Sequence, residues 1–246
     1  MRIEEGLHLV MSGGGGFDLT DAFDCNVFLI AADGGWLMFD AGAGRDPQLV
    51  FDVLAEDGID PSTIRHLLLT HGHADHSGGA AALREQLGLT VHAGGATAAL
   101  VAKGDEEGIS LGKAKRGGVY PSDYLYRACP VDRIWQPDEV QRFGDVSVQL
   151  ILTPGHSHDH VAYLVTTPSR RMLVAGDALF HGGKVAIQDI SDCDVGAICE
   201  TVRKLAAIEF DTLLPGHHGF TLKDARRHAD LALQCVNRMQ IPPSII

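Results

Sequence analysis

A chain of 246 residues with 45% apolar, 21% charged and 6% aromatic residues has the makeup of a globular protein that can bury a sizeable core, which excludes a disordered or low-complexity chain. The formal net charge is −12, and the Lys and Arg are scattered, with Lys113, Lys115 and Arg116 the densest group; this argues against a nucleic-acid enzyme, which needs a basic stripe to neutralise phosphates. There is no apolar run of about 18 residues and no amino-terminal apolar stretch of signal-peptide length, and Cys25, Cys129, Cys193, Cys199 and Cys235 form no CxxC pair, so a cytoplasmic protein with reduced thiols and no membrane span is expected.

Residues 25–32 (CNVFLIAA) read as a strand, Asp33-Gly34-Gly35 as a turn, and residues 36–40 (WLMFD) as the returning strand. Asp46 as N-cap and Pro47 at the first helical position open a helix whose apolar face is Leu49, Val50, Val53 and Leu54, with Gly58 as its stop. Residues 66–70 (HLLLT) form a short strand apolar on both faces, and HGHADHSGG follows directly. Residues 80–87 suit a helix, 89–92 a strand and 96–103 a further helix. Residues 104–135, rich in Gly and charge and holding Tyr120, Tyr124 and Tyr126, read as an inserted loop or cap in a single domain spanning 1–246. Strands follow at 146–153, 161–166, 171–175 and 210–214, with helices at 194–207 and 221–238; such alternation in both halves describes an α/β protein, sheets covered by helices.

Four apolar runs stop just short of a metal-ligating residue: LLLT before His71, LILT before His156, MLVA before Asp177 and TLLP before His217. Strand ends are rigid, and the loops at one edge of a sheet converge on one place. Within HGHADH, His71 and His73 are close enough in an extended loop to reach one ion together, and Asp75 and His76, after the turn, serve a neighbouring ion. Imidazole and carboxylate are the ligands of a catalytic zinc that keeps a position open for water. Three imidazoles and a carboxylate buried together without a metal would leave polar groups costly to bury. His158 and His160 follow His156 closely and His218 follows His217, so the register is chosen by the Pro-Gly turn ahead of His156 and His217. His181 is open to a role facing substrate, and His8, His66, His92 and His228 are assigned none.

HxHxDH at 71–76, followed in order by PGH at 154–156, GD at 176–177 and PGH at 215–217, resembles the metallo-β-lactamase superfamily from about Asn26 to His217. The resemblance implies a four-layer αββα sandwich with a binuclear metal centre at one edge of its two sheets. By its pattern His71, His73 and His156 hold one metal, Asp75, His76 and His217 hold the other, and Asp177 bridges both. Asp40, in FDAG, stands where similar proteins carry a carboxylate at a strand end and would orient a ligand imidazole.

Two divalent ions, zinc by expectation with iron or manganese as alternatives, would share a water and make it a hydroxide near neutral pH that attacks a carbonyl carbon, with Asp75 orienting it or relaying a proton. The substrate is then a small molecule: a lactone, ester, thioester or amide. Asp177 and His217 are not the Cys of the zinc β-lactamases that use one, and His73 is not the Glu of the flavodiiron branch. GDALFHGG is similar to the glutathione-thioester hydrolases, but the Gly-Arg segment that follows in them is missing, and 29 residues after His217 leave no room for their substrate-binding domain. A lactonase or related esterase is therefore the favoured reading. Its pocket would be built by residues 104–135, with Tyr120, Tyr124 or Tyr126 donating to a carbonyl and the Gly-rich loop Ser12–Gly16 at the mouth. A second reading is a mononuclear iron dioxygenase on His71, His156 and Asp177, similar to persulfide dioxygenases. Monomer and homodimer both stay open.

Overall fold

The computed structural model describes all of residues 1–246 and divides them into two compact units, Met1–Trp135 and Gln136–Ile246. The first unit holds a seven-stranded sheet in the order β1-β2-β3-β4-β5-β6-β7, with β1 Arg2–Glu4, β2 Leu7–Met11, β3 Val27–Ala32, β4 Gly35–Phe39, β5 Ile64–Leu69, β6 Thr90–Gly94 and β7 Arg133–Trp135. The first four strands pair antiparallel and the last four parallel. The helices are α1 Gln48–Glu56, the one-turn α2 Ala74–Ser77, α3 Ala80–Leu87, α4 Gly95–Lys103 and α5 Leu111–Arg116. The second unit holds a five-stranded sheet, in the order β12-β11-β10-β9-β8, with β8 Val140–Phe143, β9 Val146–Leu152, β10 Val161–Thr166, β11 Arg171–Gly176 and β12 Thr212–Pro215; its helices are α6 Val195–Ala206 and α7 Arg226–Asn237. No helix is long and apolar enough to cross a membrane, and all five cysteines are unpaired.

Alternation along the strands explains how each sheet acquires its helices. Val27 and Leu29, Met38, Leu67 and Leu69, and Val91 and Ala93 form one apolar face, on which Val50, Val53 and Leu54 of α1, Leu83 of α3 and Ala98 and Val101 of α4 are buried. Phe28, Ile30, Leu37, Phe39 and Leu68, on the opposite face, are equally buried, as expected of strands that read as continuous apolar runs. In the second unit Ile151, Ala162, Leu164, Leu173, Ala175 and Leu213 carry Ile198, Val202 and Leu205 of α6 and Ala229, Ala232 and Val236 of α7. The cap of α1 follows the reading of Asp46: its Oδ1 accepts from Gln48 N–H at 3.1 Å.

The structure adds to the sequence reading at two places and corrects it at two. Residues 2–11 form two strands that add an antiparallel edge to the first sheet, although their pattern draws no assignment. Asp75 and His76, read as following the turn, stand on the one-turn helix α2. The last helix begins at Arg226, not at 221, because Thr221 exchanges two backbone hydrogen bonds with Leu213 (2.8 and 3.0 Å) and Asp224 sits at φ 53°, outside the helical basin. Of the segment at 104–135, residues 104–132 run irregularly around α5, where Ile109, Leu111, Tyr120 and Tyr124 bury against Ala74 and one another, whereas Arg133–Trp135 form β7 of the sheet.

His66 and His92, given no role from sequence, form a buried chain with Trp135. The indole N–H donates to His92 Nδ1 at 3.0 Å, so His92 carries its proton on Nε2 and donates to His66 Nδ1, also at 3.0 Å. Burial, then the neighbouring His66 and Arg133, pushes the His92 imidazole down to about 4. The folded pKa thus lies below the unfolded 6.5, the unfolded chain binds the extra proton between these values, and this contribution is complete above about pH 6.5 and lost as pH falls toward 4. Asp24, pushed up to about 6 by burial, acts with the opposite sign below pH 6, so the test is a difference. His92→Gln is expected to lose about 2–3 kcal/mol less stability than the parent between pH 7 and 4.5, since each tenfold change in proton affinity is worth about 1.4 kcal/mol. Parallel urea-midpoint curves for the two proteins would sink this assignment.

Candidate metal centre

In the first unit the candidate ligands leave the carboxyl ends of two parallel neighbours, β4 and β5. Asp40 follows β4, with φ 64° turning the chain. Its Oδ1 accepts from Thr70 N–H at 2.8 Å, and its Oδ2 accepts from the Thr70 hydroxyl at 2.9 Å and from His76 Nδ1 at 2.8 Å. The anticipated orienting role of Asp40 is therefore visible: with Nδ1 held, His76 offers Nε2 as its donor atom. His71 is treated likewise, its Nδ1 lying 3.0 Å from Thr70 Oγ1. The His71 ring lies between those of His73 and His76, at centroid separations of 4.6 and 4.2 Å. Asp75 Oδ2 is 3.7 Å from His76 Nε2. His71 and His76 are fully buried and Asp75 is partly open. The loop fits only because Gly79 lacks a side chain; a Cβ there would meet Ala41 O at 2.1 Å.

Cys25, read from sequence as one of five reduced thiols, lies against the same place: Cys25, Asp40 and His76 each bring an atom within 4.8 Å of the others. Burial pushes its thiol up to about 12, so it stays a thiol at neutral pH. Spacing gives no signal for it, since it precedes β3 and stands far from the histidine motif in sequence.

In the second unit β9, β11 and β12 run in one direction, because β10 is antiparallel to both β9 and β11 and β12 is parallel to β11. Their carboxyl ends deliver His156, Asp177 and His217 to one edge. Asp177 Oδ2 lies 3.4 Å from His156 Nε2 and 3.6 Å from His217 Nε2, so one carboxylate oxygen stands between two imidazoles. His156 Nδ1 faces Ala186 O at 3.3 Å, again leaving Nε2 toward the carboxylate. Gly155, at φ 141°, passes so close to α6 that a Cβ would meet Ile198 N at 2.6 Å; this is the physical reason for glycine in that Pro-Gly-His turn.

The competing histidines separate cleanly. His160 Nε2 accepts from Asp177 N–H at 2.9 Å, which puts its proton on Nδ1, 2.8 Å from Thr153 Oγ1. Both nitrogens are engaged, and His160 positions Asp177. His158 and His218 are exposed, the latter at φ 58°. His8 bonds Asp57 at 2.6 Å in a network with the amino terminus.

Of the three tyrosines, Tyr124 donates to Ala43 O at 2.7 Å and Tyr126 shares a 2.7 Å hydrogen bond with Ser77, so they tie the 104–135 segment to the loop after β4 and to α2 respectively. Tyr120 stacks on Phe23 and Tyr124, and burial, with Asp75 nearby, pushes its phenol far up. Ser12 in the Gly-rich loop bonds Asn26 and Phe17 N–H, an internal turn.

These donors suit divalent cations on chemical grounds. His71, His76 and His156 each have Nδ1 hydrogen-bonded or facing an acceptor, which leaves Nε2 to serve as the donor atom, and the carboxylates are hard anionic donors.

The model of the metallo-β-lactamase superfamily matches residues 20–217. Among curated relatives, the chain is 25% identical over 181 residues to a hydroxyacylglutathione hydrolase of Chelativorans sp., covering 74% of this chain and 57% of that one. It is 26% identical over 194 residues to the probable metallo-hydrolase YqgX of Bacillus subtilis, covering 79% and 84%. The chain thus spans little more than half the length of the first relative. Among solved structures, a metallo-β-lactamase of Cronobacter sakazakii with an HARLDQ motif superposes with a TM-score of 0.74 over 97% of this chain and 96% of that one, at 18% identity. BJP-1, a subclass B3 metallo-β-lactamase of Bradyrhizobium japonicum, gives 0.68 over 87% and 86%, at 22% identity. The structural likeness shows the α/β fold expected from sequence. The family match, which takes in every candidate ligand from His71 to His217, establishes that this chain belongs to the metallo-β-lactamase superfamily.

Proposed function

We propose that the chain is a metal-dependent hydrolase, a single catalytic domain over 1–246, with a binuclear centre. His71, His73 and His156 would hold one divalent ion, Asp75, His76 and His217 the other, with Asp177 shared. The observation that carries this reading is Asp177 Oδ2 standing 3.4 and 3.6 Å from the imidazoles of His156 and His217, the placement a bridging carboxylate requires. Zinc is the ion favoured by this imidazole and carboxylate set. When bound, two such ions supply a water-derived nucleophile near neutral pH and polarise a carbonyl oxygen.

The chain's own residues do the rest. Asp40 and Thr70 fix the ring planes of His76 and His71, and His160 fixes the backbone of Asp177. Asp75, the most open of the acidic ligands, orients the attacking group or carries its proton. Tyr124 and Tyr126 hold the 104–135 segment through scaffold bonds, which leaves it as a shaped wall rather than a source of those two hydroxyls.

The favoured substrate is a small acyl ester: a lactone, ester or thioester. The thioester gains weight from the hydroxyacylglutathione hydrolase relatives and the lactone from the sequence departures around GDALFHGG. A nucleic acid is disfavoured by the net charge of −12. Five unpaired cysteines favour a reducing, cytoplasmic setting. No observation favours the mononuclear iron dioxygenase, and the relatives named above are called hydrolases. Metal quantification on freshly purified protein, followed by a panel of lactones, thioesters, β-lactams and phosphodiesters, is expected to return about two zinc equivalents and turnover of an acyl ester that a chelator abolishes and zinc restores. One iron per chain with oxygen uptake, or full turnover after metal removal, would reject the proposal.

A further inference from the structure

We propose that His181 is a substrate-facing hydrogen-bond donor, its Nε2–H fixed outward by a relay through Thr221 and His228 that ends on a backbone amide. The inference rests on the hydrolase reading above and adds to it a recognition element for an acceptor oxygen, a carbonyl or carboxylate of the acyl substrate.

The relay begins with a group whose polarity is not adjustable. Gly182 N–H donates to His228 Nδ1 at 3.0 Å. A backbone amide is a donor only, so His228 Nδ1 is an acceptor and the ring proton of neutral His228 sits on Nε2. That Nε2–H donates to Thr221 Oγ1 at 3.0 Å. The Thr221 hydroxyl proton is thereby left for His181 Nδ1, 3.2 Å away. With Nδ1 accepting, the neutral His181 ring carries its proton on Nε2, which has no hydrogen-bond partner within the protein. Burial pushes the His228 imidazole down to about 4, with His181 and Arg227 adding to the shift, which keeps the far end of the relay neutral.

Placement gives this donor its use. His181 follows Asp177 by four residues on the loop leaving β11, and Thr221 follows His217 by four on the chain leaving β12. The relay therefore ties together the two segments that carry proposed ligands, and none of its members is itself a ligand. His228 and Thr221 are buried, at 2% and 8% exposure, whereas His181 is exposed. The His181 and His228 rings lie 4.4 Å apart. The loop is pressed on α7: Gly183, at φ 73°, has Ala232 N 2.7 Å from where a Cβ would stand. An exposed imidazole is ordinarily free to turn; this one is held from behind, with one nitrogen aimed outward. A preset donor of this kind recognises an oxygen acceptor with little ordering left to do.

The test uses the zinc-loaded full chain and whichever ester, thioester or lactone it turns over. His181→Ala is expected to lower kcat/KM about tenfold, chiefly through KM, with metal content and thermal midpoint unchanged, the effect of losing one uncharged hydrogen bond. His181→Gln, whose side-chain amide places an N–H near the position of Nε2–H, is expected to recover most of that loss. Thr221→Val, which keeps shape and removes the hydroxyl, should lower kcat/KM about threefold. Nitrogen-15 NMR should find the His181 proton on Nε2 in the parent protein. Unchanged kinetics in His181→Ala, no recovery in His181→Gln, or a proton on Nδ1 would overturn the inference while leaving the hydrolase reading intact. A fully zinc-loaded parent with no turnover across the panel would overturn both.

Discussion

Replacing Asp177 by alanine is expected to lower kcat/KM about a thousandfold and to release bound metal. Its Oδ2 stands between His156 and His217, at 3.4 and 3.6 Å, and the side chain is buried. Without it, two imidazoles would face a pair of dications with no shared anion to offset their mutual repulsion. Several kcal/mol of transition-state stabilisation depend on such a centre, and each 1.36 kcal/mol is about tenfold in rate, which gives the figure of about three decades. Asp177→Asn separates charge from shape: it keeps an oxygen in place and is expected to restore the fold and little of the activity. His160→Ala should act more mildly, about 10- to 100-fold on metal affinity, since His160 reaches Asp177 through its backbone N–H. Steady-state kinetics beside metal analysis checks the series. An Asp177→Ala protein that keeps two metal equivalents and more than about a tenth of the parent rate is incompatible with a bridging carboxylate.

The second large effect is expected at Asp40, which need not touch a metal. Its carboxylate accepts three hydrogen bonds, from Thr70 N–H, the Thr70 hydroxyl and His76 Nδ1, at 2% exposure. Alanine would leave these donors buried without an acceptor, at about 1–3 kcal/mol each, and would lose the short polar side chain that makes a φ of 64° tolerable for Asp. Some relaxation is certain, so a loss of about 3–5 kcal/mol in unfolding free energy is the expected outcome. Metal affinity should fall about 10- to 100-fold as His76 loses its fixed tautomer. Asparagine tolerates the left-handed backbone and still accepts from Thr70 N–H, but offers one acceptor oxygen in place of two. Asp40→Asn is therefore expected to regain most of the stability and less of the metal affinity. Equal recovery of both would mean that Asp40 acts on the fold alone.

The local elements that stand alone in sequence are the readable ones. Residues 80–87 and 161–166 match α3 and β10 to the residue, because an amphipathic helix and a doubly buried strand each leave their own periodicity. The strands at 2–11 escape such a reading: at an antiparallel edge their pattern is short, and the pairing of β2 with β3 and of β1 with β2 is what makes them strands. The helix start near 226 is hidden for the same kind of reason. Thr221 has ordinary helix-compatible neighbours, but Leu213, distant in sequence, claims its backbone.

The site divides along the same line. HGHADH and the strand-end His156, Asp177 and His217 are legible as candidate ligands because metal chemistry restricts residue type and strand ends restrict position; that selection the sequence makes by itself. What the tertiary structure alone decides is which nitrogen of each ring is free. His160 is a rival to His156 until Asp177 N–H is found on its Nε2, Cys25 is filler until it comes beside Asp40 and His76, and His181 and His228 have no assignable link until Thr221 joins them. A side chain's identity is written in the chain, but its hydrogen-bond partners come from segments tens of residues away, and those partners set proton position and hence chemical role.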